Sequence, residues 1–150
     1  MSDHPSGSAT QRAAENELIR AVSRKINIEL TPKTIRVAES ASVQIDGFNA
    51  NELVACEAFS RIGKMNAGQK RKLGNDILKL LLLERHLQIP IRKLIVLAGD
   101  DALASLTGKS WQAAAVREFG VEVFQIELSD ATRIDLGAAQ VRQVMVNSPT

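Results

Sequence analysis

The chain has 150 residues, 45% of them apolar and 24% charged, with a formal net charge of +2, which is enough for one domain with a proper core and too little for two of ordinary size. No stretch approaches the ~20 apolar residues that cross a bilayer. The polar start, MSDHPSGSATQR, lacks the apolar centre of a secretory signal, so a cytoplasmic protein without membrane contact is expected.

Residues 1–9 read as a disordered tail, 10–146 as a single domain and 147–150 as a second tail. Thr10 suits the N-cap of a first helix whose apolar stripe is Leu18, Ile19, Val22 and Ile26. Glu15 projects onto that stripe and Glu17 away from it. Glu15 either complements the helix dipole or looks toward a site deeper in the molecule. From Asn27 to Val37 the chain is extended around Pro32. VQIDGF (43–48) and the segment 52–59 then form a hairpin across Asn49-Ala50-Asn51, with left-handed backbone expected at asparagine.

A helix over GQKRKLGNDILKLLLL follows. At about 100° per residue, Gln69, Lys72, Asp76 and Lys79 fall within one arc roughly a quarter-turn wide. That arc is either the solvated face of an amphipathic helix or the lining of a site. Gly74 at mid-helix suggests that another backbone passes close by. Residues 93–98 read as a buried strand. Asp100 or Asp101 is expected to cap a short helix to Leu106, and Ser110 a helix to Glu118 stopped by Gly120. The alternating stretch 121–128 reads as a strand, and Ser129 or Asp130 starts a last helix with Ile134, Ala138, Val141 and Met145 inward.

Charge is unevenly spread. Nine Lys and Arg against two acids lie between Arg61 and Lys93, whereas from Asp100 onward seven acids face four bases. A basic surface of this kind suits a polyanionic partner or is an ordinary solvated face. With four Phe, one Trp and no Tyr, an aromatic base-stacking platform is disfavoured. The lone cysteine, Cys56, excludes an internal disulfide, and with His4 and His86 it cannot furnish an ordinary zinc site. Thr107-Gly108-Lys109-Ser110 resembles the end of a phosphate-binding loop, but position 103, where the pattern needs Gly, is Leu.

The chemistry-bearing residues that survive are Asp46 and Glu57. Asp46 lies in a strand on the face opposite Val43 and Ile45, and Glu57 in the strand LVACEAF, apolar enough to be buried on both faces. A carboxylate there needs a partner, and two close carboxylates are best satisfied by a divalent cation such as Mg²⁺, which keeps much of its water. A neighbouring lysine would stabilise developing charge on a phosphodiester.

VQIDGF, ELVACEAF, the glycine-bearing loop and GQKRKLGNDILKL together resemble the PD-(D/E)XK, restriction-endonuclease-like superfamily, closest to its small stand-alone members, over Glu15 to Leu128. The resemblance implies an α/β fold, a three-layer α/β/α restriction-endonuclease-like core with a mixed sheet of about four strands. It further implies Mg²⁺- or Mn²⁺-dependent hydrolysis of nucleic acid, DNA before RNA, by an endonuclease or exonuclease. Asp46 and Glu57 match the family's metal ligands, with Glu15 in the place of an acid on the first helix. Two departures stand out: Ile45 replaces a proline, and the lysine expected two residues after the Glu is Phe59. Lys72, flanked by Gln69 and Asp76, is the choice for a relocated lysine, with Lys79 second. The alternative is a catalytically inactive domain kept for binding nucleic acid or protein. A homodimer or protein partner suits a chain this small, though no stretch marks an interface.

Overall fold

The structure is a computed structural model and describes residues 7–147. Most of the two expected tails, residues 1–6 and 148–150, lies outside the described residues. The described elements run α1 (Gly7–Ile26), β1 (Thr31–Ala38), β2 (Ala41–Asn49), β3 (Val54–Phe59), α2 (Ala67–Leu87), β4 (Arg92–Leu97), α3 (Asp100–Thr107), α4 (Trp111–Glu118), β5 (Glu122–Gln125) and α5 (Asp130–Asn147). The strands form one mixed sheet in chain order, antiparallel from β1 to β3 and parallel from β3 to β5.

Apolar side chains of β3 and β4 alternate between two cores, as strand geometry requires. Ala55, Phe59, Ile95 and Leu97 meet Leu73, Ile77 and Leu80 of α2, with Leu106 of α3 and Val116 of α4. On the other face Val54, Cys56, Ala58, Leu94 and Val96 meet Ala14, Leu18 and Val22 of α1 and Leu136 of α5. All six residues of β3 are buried, as expected for a central strand covered on both faces.

Several details differ from expectation. The sheet has five strands rather than about four, because the extended arm pairs with β2 along its length. Pro32, which cannot donate to a ladder, sits on this edge strand at a register irregularity. α1 begins at Gly7, a turn before Thr10. β5 spans four residues rather than 121–128, since at the sheet edge it pairs with β4 alone. In the hairpin the left-handed residue is Leu53 (φ 55°), not an asparagine. Asn49 contributes through its side chain instead, accepting from Glu52 N at 2.8 Å and donating to Glu29 O at 2.8 Å.

Neither Asp100 nor Asp101 caps α3, whose N-cap is Gly99. Asp101 Oδ2 accepts from Met65 N at 2.7 Å and pins the loop after β3, while Asp100 accepts from Gln125. A Cβ on Gly99 would stand 2.3 Å from Arg61 O, so that loop passes where only glycine admits it. Ser110 does cap α4, accepting from Ala113 N at 3.1 Å, and Gly120 (φ 65°) follows its end.

α5 is turned the other way round. Ile134, Ala138, Val141 and Met145 are exposed, and Leu136 and Ala139 are buried against the sheet side. Its orientation is set at its start, where Glu17 of α1 accepts hydrogen bonds from Ser129 N (2.7 Å) and Thr132 Oγ1 (2.7 Å). The acid that points away from the stripe of α1 is thus the tie that seats α5. At mid-α2, Gly74 is approached not by backbone but by the Trp111 ring, which a Cβ would meet at 2.7 Å.

Candidate functional site

The site begins with a fault in the sheet. Two residues along β1 match three along β2 between Thr31↔Phe48 and Lys33↔Ile45, the mark of a bulge around Asp46 and Gly47. On the other side the β2–β3 ladder holds only Gly47, Phe48 and Asn49 against Cys56, Ala55 and Val54. Before Gly47 the two strands part. Glu57, Ala58 and Phe59 then pair only with β4.

Side chains fill the gap in the ladder. Ala58 N donates to Asp46 Oδ2 at 2.9 Å, and Asp46 N donates to Glu57 Oε2 at 3.2 Å. Each acid therefore takes up a backbone N–H that the missing ladder would have paired. Glu57 faces α2 with Ala55 and Phe59, and the bulge carries Asp46 to it. Simple alternation puts Asp46 opposite Val43 and Ile45, but both acids are needed at the parting, and the extra residue delivers them there.

Glu57 is fully buried. Its Oε1 is held against the ammonium of Lys79. Burial, and next the Asp46 carboxyl within hydrogen-bonding reach, push its pKa up to about 9, with Lys79 acting the other way. Such a carboxyl is costly to ionise without a further positive charge beside it.

Lys72 Nζ pairs with Asp76 Oδ2 at 3.2 Å and lies 5.3 Å from the centre of the Phe59 ring. Phe59 is two residues past Glu57 on the same strand face, so the Lys72 ammonium stands over the ring near where a lysine on β3 would reach. Asp76 is 4% exposed, which decides the question of the α2 arc: it is turned inward, and the solvated face of α2 carries Arg71, Asn75, Leu78, Leu82 and Arg85 instead. Burial raises the Asp76 carboxyl, opposed by Lys72. Lys72 is itself raised, since Asp76 and Glu15 outweigh its burial.

Glu15 approaches from the opposite face of the sheet. It is half-buried, accepts from Gln11 Nε2 at 3.2 Å, and is raised first by desolvation; Lys72, Asp46 and Asp76 all act on it. Glu15 lines the same cavity as Asp46 and Lys79. The parting of β2 from β3 lets helices on both faces address one point. A cavity of about 380 Å³ lies against it, lined in part by Arg12, Glu15, Gln44, Asp46 and Lys79. Gln69 has other work: it closes a capping box, accepting from Asn66 N at 2.8 Å while Asn66 Oδ1 accepts from Gln69 N at 2.9 Å.

Asp46, Glu57, Lys72, Asp76, Lys79 and Glu15 are thus brought together, and Gln69 stands at the start of α2. Sequence reasoning ranked Lys79 second, although it is the lysine that touches Glu57. Its place on the arc three residues beyond Asp76 was the available signal. Cys56 is buried and its thiol pushed well above its ordinary value, which suits a packing role. Among the described residues no group of three or more His, Cys, Asp and Glu side chains converges as a metal cage. Compared with family models, curated proteins and solved structures, the chain matches none.

Proposed function

We propose that the chain is a metal-dependent nuclease of restriction-endonuclease-like fold that hydrolyses phosphodiester bonds in nucleic acid, DNA before RNA. The observation that carries this reading is the meeting of Asp46 and Glu57 at the parting of β2 and β3 with two lysines of α2 beside them. The order helix, three antiparallel strands, helix, parallel strand supports the fold.

The donor set fits Mg²⁺ or Mn²⁺. Both ligands are hard oxygens, and two carboxylates suffice for an ion that retains waters. When bound, the ion supplies neutralisation of phosphate charge and a more acidic water. Asp46 and Glu57 would hold it, each already fixed by one backbone N–H. Lys72, over Phe59, holds a positive charge against the phosphate and orients the attacking water, and Asp76 keeps its ammonium in place. Lys79 stands at Glu57 and lines the cavity beside Asp46, so holding an ion at Glu57 would require its ammonium to give way. Glu15 sets the potential from the other face.

The test is cleavage of single- and double-stranded DNA and RNA with and without Mn²⁺, comparing Asp46→Asn and Glu57→Gln. Loss of cleavage in both is expected. Cleavage that persists in both removes the hydrolase.

One observation favours a second reading, a catalytically inactive domain that binds nucleic acid: the Lys79 ammonium already stands at Glu57 where a cation would be. That reading expects binding indifferent to Mn²⁺ and steeply weakened by salt.

A further inference from the structure

Beyond Phe59 the site opens into a second cavity, of about 190 Å³, closed by the start of α2 and the inner edge of α5. No acid lines it. Its walls carry the amides of Gln140 and Gln143, the bare backbone of Gly68, and two cations, Arg61 and Lys72. Arg61 is anchored: its carbonyl packs on Gly99, its Nη2 donates to Lys64 O at 3.1 Å, and its Nε is buried without a hydrogen-bond partner. A buried guanidinium nitrogen left unpaired is costly and marks a place where an acceptor is missing. Lys64, Lys70 and Arg71, close in the chain to lining residues Arg61, Gly68 and Lys72, are exposed.

We propose that this cavity receives one unpaired nucleotide of the substrate strand, its base between the α5 amides and its phosphate against Arg61 and Lys72. The inference rests on the nuclease reading and gives it a substrate class: single-stranded or frayed nucleic acid rather than an intact duplex. Three properties select that ligand. The space admits a single flat heterocycle and excludes a paired one. Neutral amides offer donors and acceptors to a base edge without repelling the adjoining phosphate. The two cations in the lining, Arg61 and Lys72, suit the adjoining phosphate.

The experiment measures binding of a fluorescein-labelled twelve-nucleotide DNA to the full chain without divalent ions, so that no cleavage is required. The single strand is expected to bind at least about ten-fold tighter than the same sequence as a blunt duplex. An abasic residue walked along the strand should weaken binding about ten-fold at one position and little elsewhere. Gln140→Ala should abolish that positional effect, and Arg61→Ala should weaken the strand and flatten its salt dependence. Melting curves of both variants check that they fold. Equal or tighter duplex binding, or an abasic scan without a position, overturns the proposal. If the binding pattern holds but Mn²⁺ produces no cleavage, the hydrolase reading fails and the pocket stands; cleavage with duplex preference does the reverse.

Discussion

α2 and α5 are both amphipathic by their spacing, yet they are seated differently: α2 turns its apolar face inward and takes a polar residue with it, whereas the apolar stripe of α5 faces out. α2 buries one residue of its polar arc, Asp76 at 4% exposed, while α5 leaves Ile134 71% and Met145 72% exposed and buries Leu136 and Ala139. The two cases have different causes. The arc of α2 is held in by partners: Lys72 answers Asp76, and Lys79 answers a carboxyl of β3. α5 is held by its first residues, which Glu17 fixes to α1, so its rotation is decided before its apolar stripe is consulted. Periodicity finds a stripe; what faces it is decided by partners elsewhere in the chain.

The contrast can be attacked from its strongest side first. If the arc of α2 and the acids it faces form a working surface, Asp46→Asn and Glu57→Gln lower Mn²⁺-dependent cleavage by at least the roughly 10–100-fold that altering a second shell already costs, read by initial rates on labelled DNA. If the buried side of α5 is Leu136, then Leu136→Ala costs roughly 2–4 kcal/mol in urea unfolding. Removing Asp76 leaves Lys72 unpaired; breaking a buried pair costs roughly 3–5 kcal/mol, but Lys72 is over a third exposed, so Asp76→Ala is expected to cost about 1–2 kcal/mol. Smallest of all, Ile134→Lys should shift stability by less than about 0.5 kcal/mol, as for other exposed positions. A large loss there would mean that the outward stripe of α5 is covered.

pH sharpens the same comparison, since α5 offers no counterpart to Glu57. The folded protein holds the Glu57 proton to about pH 9, whereas the unfolded chain releases it near 4.5. This stabilisation is complete below pH 4.5 and is lost as pH rises through 9. Melting temperature without divalent ions should therefore fall across that range and fall less in Glu57→Gln. Mn²⁺ at pH 8 should restore it in the parent only.

Much of the fold was legible because its elements carry local signals. The β3 run, the Ser110 cap, the Gly120 stop and the strand after Pro90 are each written in a few neighbouring residues. The acid pair was legible too, as carboxylates in apolar strands. What could not be read was contact at a distance: the pairing of the 31–38 arm, the seat of α5, the Trp111 ring over Gly74, and the choice between Lys72 and Lys79. The bulge at Asp46 is the telling case, for alternation along 43–46 put the acid on a fixed side, and only the partner strand reveals the extra residue.

Asp46 is also a piece of scaffolding. Because its carboxylate accepts the Ala58 N–H, an alanine there orphans a main-chain donor in the most enclosed strand of the sheet, at a cost of roughly 1–3 kcal/mol. Evolution could therefore discard the chemistry of this position more easily than the residue, and an aspartate surviving in an inert descendant would testify to architecture alone.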